Sequence, residues 1–130
     1  MKASLKNYRQ APRKVRLVTD LVKGKRVAEA LQTLAFLNKR AAEPIEKLIK
    51  SAVANAKEAG KSTDVLAIDS ITVDKAPVMK RFRPRARGSA SPIHKHSSHV
   101  HVSLRDTAGG KADTSTPEVV EAEKVEAIPA

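Results

Sequence analysis

The sequence predicts an α+β protein with one long projecting arm. Three observations carry this. Apolar side chains recur at helical spacing in three segments of the first half. After Gly60 the period changes from 3.6 to two. Finally, two alternating runs flank a basic segment, residues 75–105, that holds 8 basic and no acidic side chains.

Taken in order, residues 3–9 form a short polar strand-like run that ends at Tyr8-Arg9. Pro12 then suits the first turn of a helix, where its missing N–H costs nothing. Val15, Val18 and Val22 share one helical face, with Leu17 and Leu21 expected to widen it, and Gly24 stops the helix. A second helix is expected over 27–37, burying Val27, Ala30, Leu31 and Leu34. The third has the clearest stripe: Ile45, Leu48, Ile49, Ala52, Val53 and Ala56, with Lys47, Lys50, Lys57 and Glu58 pointing away. Pro44 must lie in or near its first turn.

Leu66 and Ile68 then alternate with polar neighbours, as do Ile71 and Val73 one register out. That slip predicts a bulge near Asp69-Ser70. A matching run, Val100, Val102 and Leu104, follows the basic segment. Antiparallel pairing of the two runs makes the basic segment a hairpin with its tip near Gly88. Each arm of about 14 residues reaches ~45 Å at ~3.3 Å per residue. A body of about 75 residues is only ~30 Å across. The hairpin therefore projects, and a lone two-stranded ribbon is marginal in water, so an outside partner is expected to hold it.

Charge is divided unevenly. The 130 residues carry a net +11; residues 1–74 hold 15 basic and 8 acidic side chains, whereas residues 106–130 hold 2 basic and 6 acidic. That last segment has no aromatic residue and no apolar period, and is expected to be a disordered acidic tail. The core is expected to be thin, because the chain has 20 alanines, one Tyr, two Phe and no Trp.

Several function classes drop out. With no cysteine, disulfides and thiolate zinc sites are excluded. No apolar run approaches the ~20 residues of a membrane helix. Met1–Lys6 has no apolar stretch behind its charge, so no secretory leader is expected. There is no glycine-rich phosphate loop and no nucleophile elbow, so no catalytic residue and no cofactor are expected.

Two clusters remain. In Met79-Lys80-Arg81-Phe82-Arg83-Pro84-Arg85-Ala86-Arg87-Gly88, Arg81, Arg83, Arg85 and Arg87 alternate as one face of an extended strand, at ~6.6 Å spacing. Four guanidiniums so placed repel unless anions lie between them, and phosphates accept bidentate bonds from arginine. Phe82 falls on the other face, where it either packs at the hairpin root, the favoured reading, or stacks on a base. The second cluster is His94-Lys95-His96-Ser97-Ser98-His99-Val100-His101. Its two His-x-His pairs have opposite parity and would face opposite sides of a strand, with no carboxylate behind them. No metal is expected; hydrogen bonding or stacking against RNA is.

Taken together, Ala11-Pro12-Arg13-Lys14-Val15-Arg16-Leu17-Val18, Gly24-Lys25, Ala42-Glu43-Pro44-Ile45 and Ser51-Ala52-Val53-Ala54-Asn55-Ala56 resemble one family in order. So do Val73-Asp74, Lys80-Arg81, Pro84-Arg85-Ala86-Arg87-Gly88 and Ser98-His99-Val100. The family is the bacterial-type large-subunit ribosomal protein twenty-two, and the resemblance covers residues 1–105. It implies three helices packed on a small three-stranded antiparallel sheet, plus an extended hairpin over about 75–105. It implies a structural, non-enzymatic protein of the cytoplasmic ribosome that binds 23S-type rRNA, helps the subunit assemble and touches neighbouring large-subunit proteins. It also implies that the hairpin tip, Arg85, Ala86, Arg87, Gly88, Ser89 and Ala90, lines the exit tunnel and meets the nascent polypeptide transiently. RNA contacts are expected from Arg9, Arg13, Lys14 and Arg16 in the body. In the arm they are expected from Lys80, Arg81, Arg83, Arg85, Arg87, Lys95 and His99. The sequence departs from the family pattern after Gly88, where Ser89, Pro92 and His96 stand in place of common basic residues. The rival readings are an architectural DNA-binding protein with a basic β-ribbon arm and a metal-dependent enzyme using the histidines.

Overall fold

The computed structural model describes residues 1–107; the acidic tail expected over 106–130 lies, from residue 108 on, outside the described residues. The elements are β1 (Lys2–Tyr8), α1 (Pro12–Val22), α2 (Val27–Phe36), α3 (Ala42–Glu58), β2 (Leu66–Pro84) and β3 (Ala90–Asp106). The three strands form one antiparallel sheet in the order β1-β3-β2, and the three helices pack on one of its faces. Asp106, assigned above to the tail, closes β3: it pairs with Leu66 and meets the ammonium of Lys61. Beside it, the Thr107 N–H donates to the Val65 carbonyl at 2.7 Å.

The core is aliphatic throughout. Val15, Val18 and Val22 of α1 and Ile45, Ile49 and Ala52 of α3 meet Ile68 of β2 and Val100 and Val102 of β3, all buried. Each helix presents a narrow stripe because only one side has a sheet to cover. Leu17 and Leu21 do not belong to it. At ~100° per residue Leu17 lies ~200° around the helix from Val15, and it is 65% exposed. Leu31 and Val53 sit at the rim of the core, half-buried. Pro44 falls in the first turn of α3, where no i−4 bond is lost.

The bulge expected at Asp69-Ser70 is present as a register shift between Ile68 and Ser70. Its polar groups bind one another: the Ser70 and Ser103 hydroxyls lie 2.8 Å apart, and the Ser103 hydroxyl donates to Asp69 Oδ2 at 3.2 Å. The free edge of β2 is covered within the body. The Ile68 N–H donates to the Lys25 carbonyl at 3.0 Å, and Arg16 Nη2 donates to the Val73 carbonyl at 2.8 Å. On the other edge, Asn55 Nδ2 donates to the Lys2 carbonyl at 3.1 Å. Covered edges suppress strand addition by other chains.

Candidate nucleic-acid interface

β2 and β3 continue past the body as a two-stranded ribbon, paired without a third strand from Met79↔Lys95 to Pro84↔Ala90. At 19 residues β2 is about 60 Å long by ~3.3 Å per residue. The body holds only its first half, so the ribbon projects as its length required. A second register shift lies between Ala76 and Met79. It contains Pro77, which cannot donate to a ladder. This bulge has a large consequence. Ile71 and Val73 face the helices opposite Val102 and Val100; without the bulge the odd-numbered arginines would follow them onto that side. With it, Arg81 and Arg83 stand opposite Ile93 and Ser91, on the face turned away from the helices.

The arginine row is thus real as far as Arg85, whose backbone stays extended (φ −122°, ψ 175°). Arg87 is not part of it. It sits in the tip turn at φ 58°, followed by Gly88 at φ 70°. The turn closes through Arg85 N–H to the Ser89 carbonyl at 2.8 Å and the Ser89 hydroxyl to the Ala86 carbonyl at 2.9 Å. A left-handed arginine costs about 1–2 kcal/mol, and here it carries a guanidinium to the extreme end of the arm. Lys80, Arg81, Arg83, Arg85, Arg87 and Lys95 are all exposed. Arg81 Nη1 reaches only its neighbour's carbonyl, that of Lys80, at 2.7 Å.

At the root of the ribbon the structure joins two groups that lie far apart in sequence. A groove of about 500 Å³ is lined by Ala11, Pro12, Arg13, Lys14, Arg16, Lys75 and His96. The body residues Arg13, Lys14 and Arg16 therefore continue onto the helix-facing side of the arm root, the side opposite the arginine row. Lys75 was not among the expected contacts, and His96 was expected only as a member of the histidine cluster. Lys75 opens the acid-free segment, and His96 has the parity of the helix-facing residues, so both signals were available. Arg16 does more than expose charge, since one of its nitrogens holds the edge of β2. Arg9 is exposed just beyond Tyr8, which pairs with Ser98 at the same root. His99 is placed differently. It lies opposite Asp74 on the other face of the sheet, and its Nδ1 accepts the Asn7 N–H at 3.0 Å. That bond requires Nδ1 to carry no proton.

Phe82 does not pack at the root. It stands far out on the ribbon opposite Pro92, 77% exposed, because the arm's other large apolar side chains, Met79 and Ile93, lie on the opposite ribbon face. The His94 and His96 rings share the same ribbon face, their centroids 6.4 Å apart. Among the described residues no three His, Asp or Glu side chains gather as a metal site would need, and no helix is long and apolar enough to cross a membrane.

The sequence of this chain has close counterparts among known proteins. The family model for ribosomal protein L22p/L17e matches residues 3–105, from the first strand into the end of the last. The chain belongs to this family. It is 54% identical to the large ribosomal subunit protein uL22 of Bdellovibrio bacteriovorus over 108 residues, covering 82% of this chain and 97% of that one. The uL22 of Myxococcus xanthus is 48% identical over 80% of this chain and 94% of its own length. That of Pelobacter propionicus is 51% identical over 81% and 96%. As a family member the chain is a structural protein of the large subunit of the cytoplasmic ribosome, a structural rather than an enzymatic role.

Proposed function

We propose that the chain binds 23S-type rRNA through cationic groups on both sides of its body-and-arm frame, residues 1–105 acting as a single RNA-binding domain. The body anchors through Arg9, Arg13, Lys14 and Arg16, and the hairpin threads between RNA segments. The observation that carries this is the arm itself. It has 8 basic side chains and no acidic one over residues 75–105, an arginine face turned away from the body, and no buried side chain between residues 79 and 96. Such a ribbon is at odds with itself in water: its charges repel and its pairing is marginal. Threaded between phosphates, the same charges become the binding energy. The role in assembly follows, since one rigid body tied to an RNA-ordered arm bridges RNA segments that would otherwise move independently.

In this reading the tip, Arg85 through Ala90, lines the nascent-chain tunnel and meets the emerging polypeptide transiently, while the body touches neighbouring large-subunit proteins. Support comes from the kinship to uL22 proteins and from a ribbon long enough to reach well inside a larger particle. A photo-crosslinker placed at Ala86 in ribosomes carrying a stalled chain tests it. Crosslinks to the nascent peptide are expected, and crosslinks to rRNA alone would remove the tunnel assignment.

The RNA assignment is tested by substituting Arg81, Arg83, Arg85 and Arg87 together by Gln, which keeps donors and removes four charges. If each contacts one phosphate, the slope of log affinity against log salt falls by ~3, at ~0.7–0.9 per phosphate. An unchanged slope overturns the proposal. Equal affinity of the wild type for duplex DNA and for rRNA at one salt concentration would favour the architectural DNA-binding alternative.

A further inference from the structure

The ribbon has two chemically different faces, and, Lys80 and the root groove apart, the proposed rRNA contacts of its two strands lie on only one of them. The face turned away from the helices carries Arg81, Arg83 and Lys95. The opposite face carries Phe82, His94 and His96, with Lys80 between them, as the register Lys80↔His94 and Phe82↔Pro92 requires. Phe82 is one of three aromatic residues in the chain. A benzyl group left 77% in water at the end of a structure gains nothing for the free fold, and Pro92 opposite it holds the backbone stiff.

We infer that this second face is a stacking platform for unpaired bases of the bound RNA, with Phe82, His94 and His96 as its rings. This rests on the proposed rRNA binding and deepens it. The absence of any acidic side chain from residues 75–105 means that a partner running along the ribbon is a polyanion, which disfavours the apolar surface of another protein. Among polyanions, nucleic acid presents flat π faces at the spacing of its phosphates. The His94 and His96 rings are 6.4 Å apart at an interplanar angle of 35°. That is close to twice the ~3.4 Å rise between nucleotides, so a modest ring rotation admits one base between them. Phosphates on the arginine face and bases on the ring face fit a single strand clamped edge-on, or two strands of a loop passing on either side.

The chain has no tryptophan, so Phe82→Trp creates a single fluorescent reporter at the site. Full-length Phe82→Trp is titrated with transcribed 23S-type rRNA and, separately, with inorganic polyphosphate. The expected result is strong quenching by rRNA and none by polyphosphate, because only a base stacks on the indole. Equal quenching by both, or a blue shift without quenching in assembled subunits, overturns the inference; the latter would mark an apolar protein contact instead. Phe82→Leu supplies an independent readout. Its rRNA affinity should fall about five- to 150-fold, the effect of losing one stacked base, with the salt slope unchanged because no charge is removed. Wild-type affinity for the RNA would overturn the inference as well. Failure of the wild type to bind rRNA in a salt-dependent way would instead remove the proposed function itself, so the two failures are distinguishable.

Discussion

β2 and β3 are one pair of strands in two environments. Within the body their alternate residues, from Leu66 to Val73 and from Val100 to Leu104, are buried under three helices. Beyond Ala76 the same strands keep their ladder as far as Pro84↔Ala90 but bury nothing. Backbone hydrogen bonds are made in both halves. What differs is apolar contact, and that decides which half stands alone, since a hydrogen bond exchanged with water contributes only ~1 kcal/mol net. The body is a folded object that happens to be basic. In the proposed function the arm is a binding element that takes its order from its partner.

The comparison is broken most severely by attacking the body. Leu48→Ala, on the buried stripe of α3, should destabilise the free protein by about 2–5 kcal/mol in a urea titration. Leu17→Ala, on the outer face of α1, should stay within about 0.5 kcal/mol. Equal losses would mean that the helix faces are wrongly assigned.

Ser98 sharpens the boundary between the two halves. It is fully buried at the ribbon root, and its hydroxyl has no hydrogen-bond partner among the described residues. Ser98→Ala should therefore raise the thermal midpoint, by the equivalent of about 1 kcal/mol. A drop would show that the hydroxyl is satisfied in solution.

The four-arginine variant, expected to be costly to RNA binding, should change the urea midpoint of the free protein by the equivalent of less than about 0.5 kcal/mol, as exposed substitutions do. A smaller effect comes from Glu43, whose carboxyl is held below its ordinary range by the hydrogen-bonded Lys47 ammonium and its charge. A lowered folded-state pKa contributes stability above the ordinary carboxylate range and loses it as pH falls through the lowered value. Both groups are fully exposed, so Glu43→Gln should lower the midpoint slightly at neutral pH, and the difference should vanish in acid. A gap that widens in acid would reverse that sign.

How far the molecule was legible from sequence follows the same division. The body was readable because its periods are strong: Ile45 to Ala56 declare α3, and the slip between Ile68 and Ile71 announces a bulge. Leu17 and Leu21 misled because they are apolar, and only their angle around the helix shows that they miss the core. The arm was readable in charge and length but not in facing. Parity alone carries the arginine row through Arg87, yet the Pro77 bulge sets which side the row takes and the tip turn removes Arg87 from it. Phe82 was misread because burial is the usual fate of phenylalanine, and nothing local in the sequence shows that the ribbon around it has no interior.

The central claim is that body and arm differ in what orders them, and amide hydrogen exchange on the free and RNA-bound protein reads it residue by residue. In the free protein, residues 66–73 and 100–104 should be strongly protected, while residues 79–94 exchange close to the rate of an unstructured chain. On 23S-type rRNA the second set should gain protection and the first should barely change. Protection of residues 79–94 matching that of the body in the absence of RNA would contradict the account.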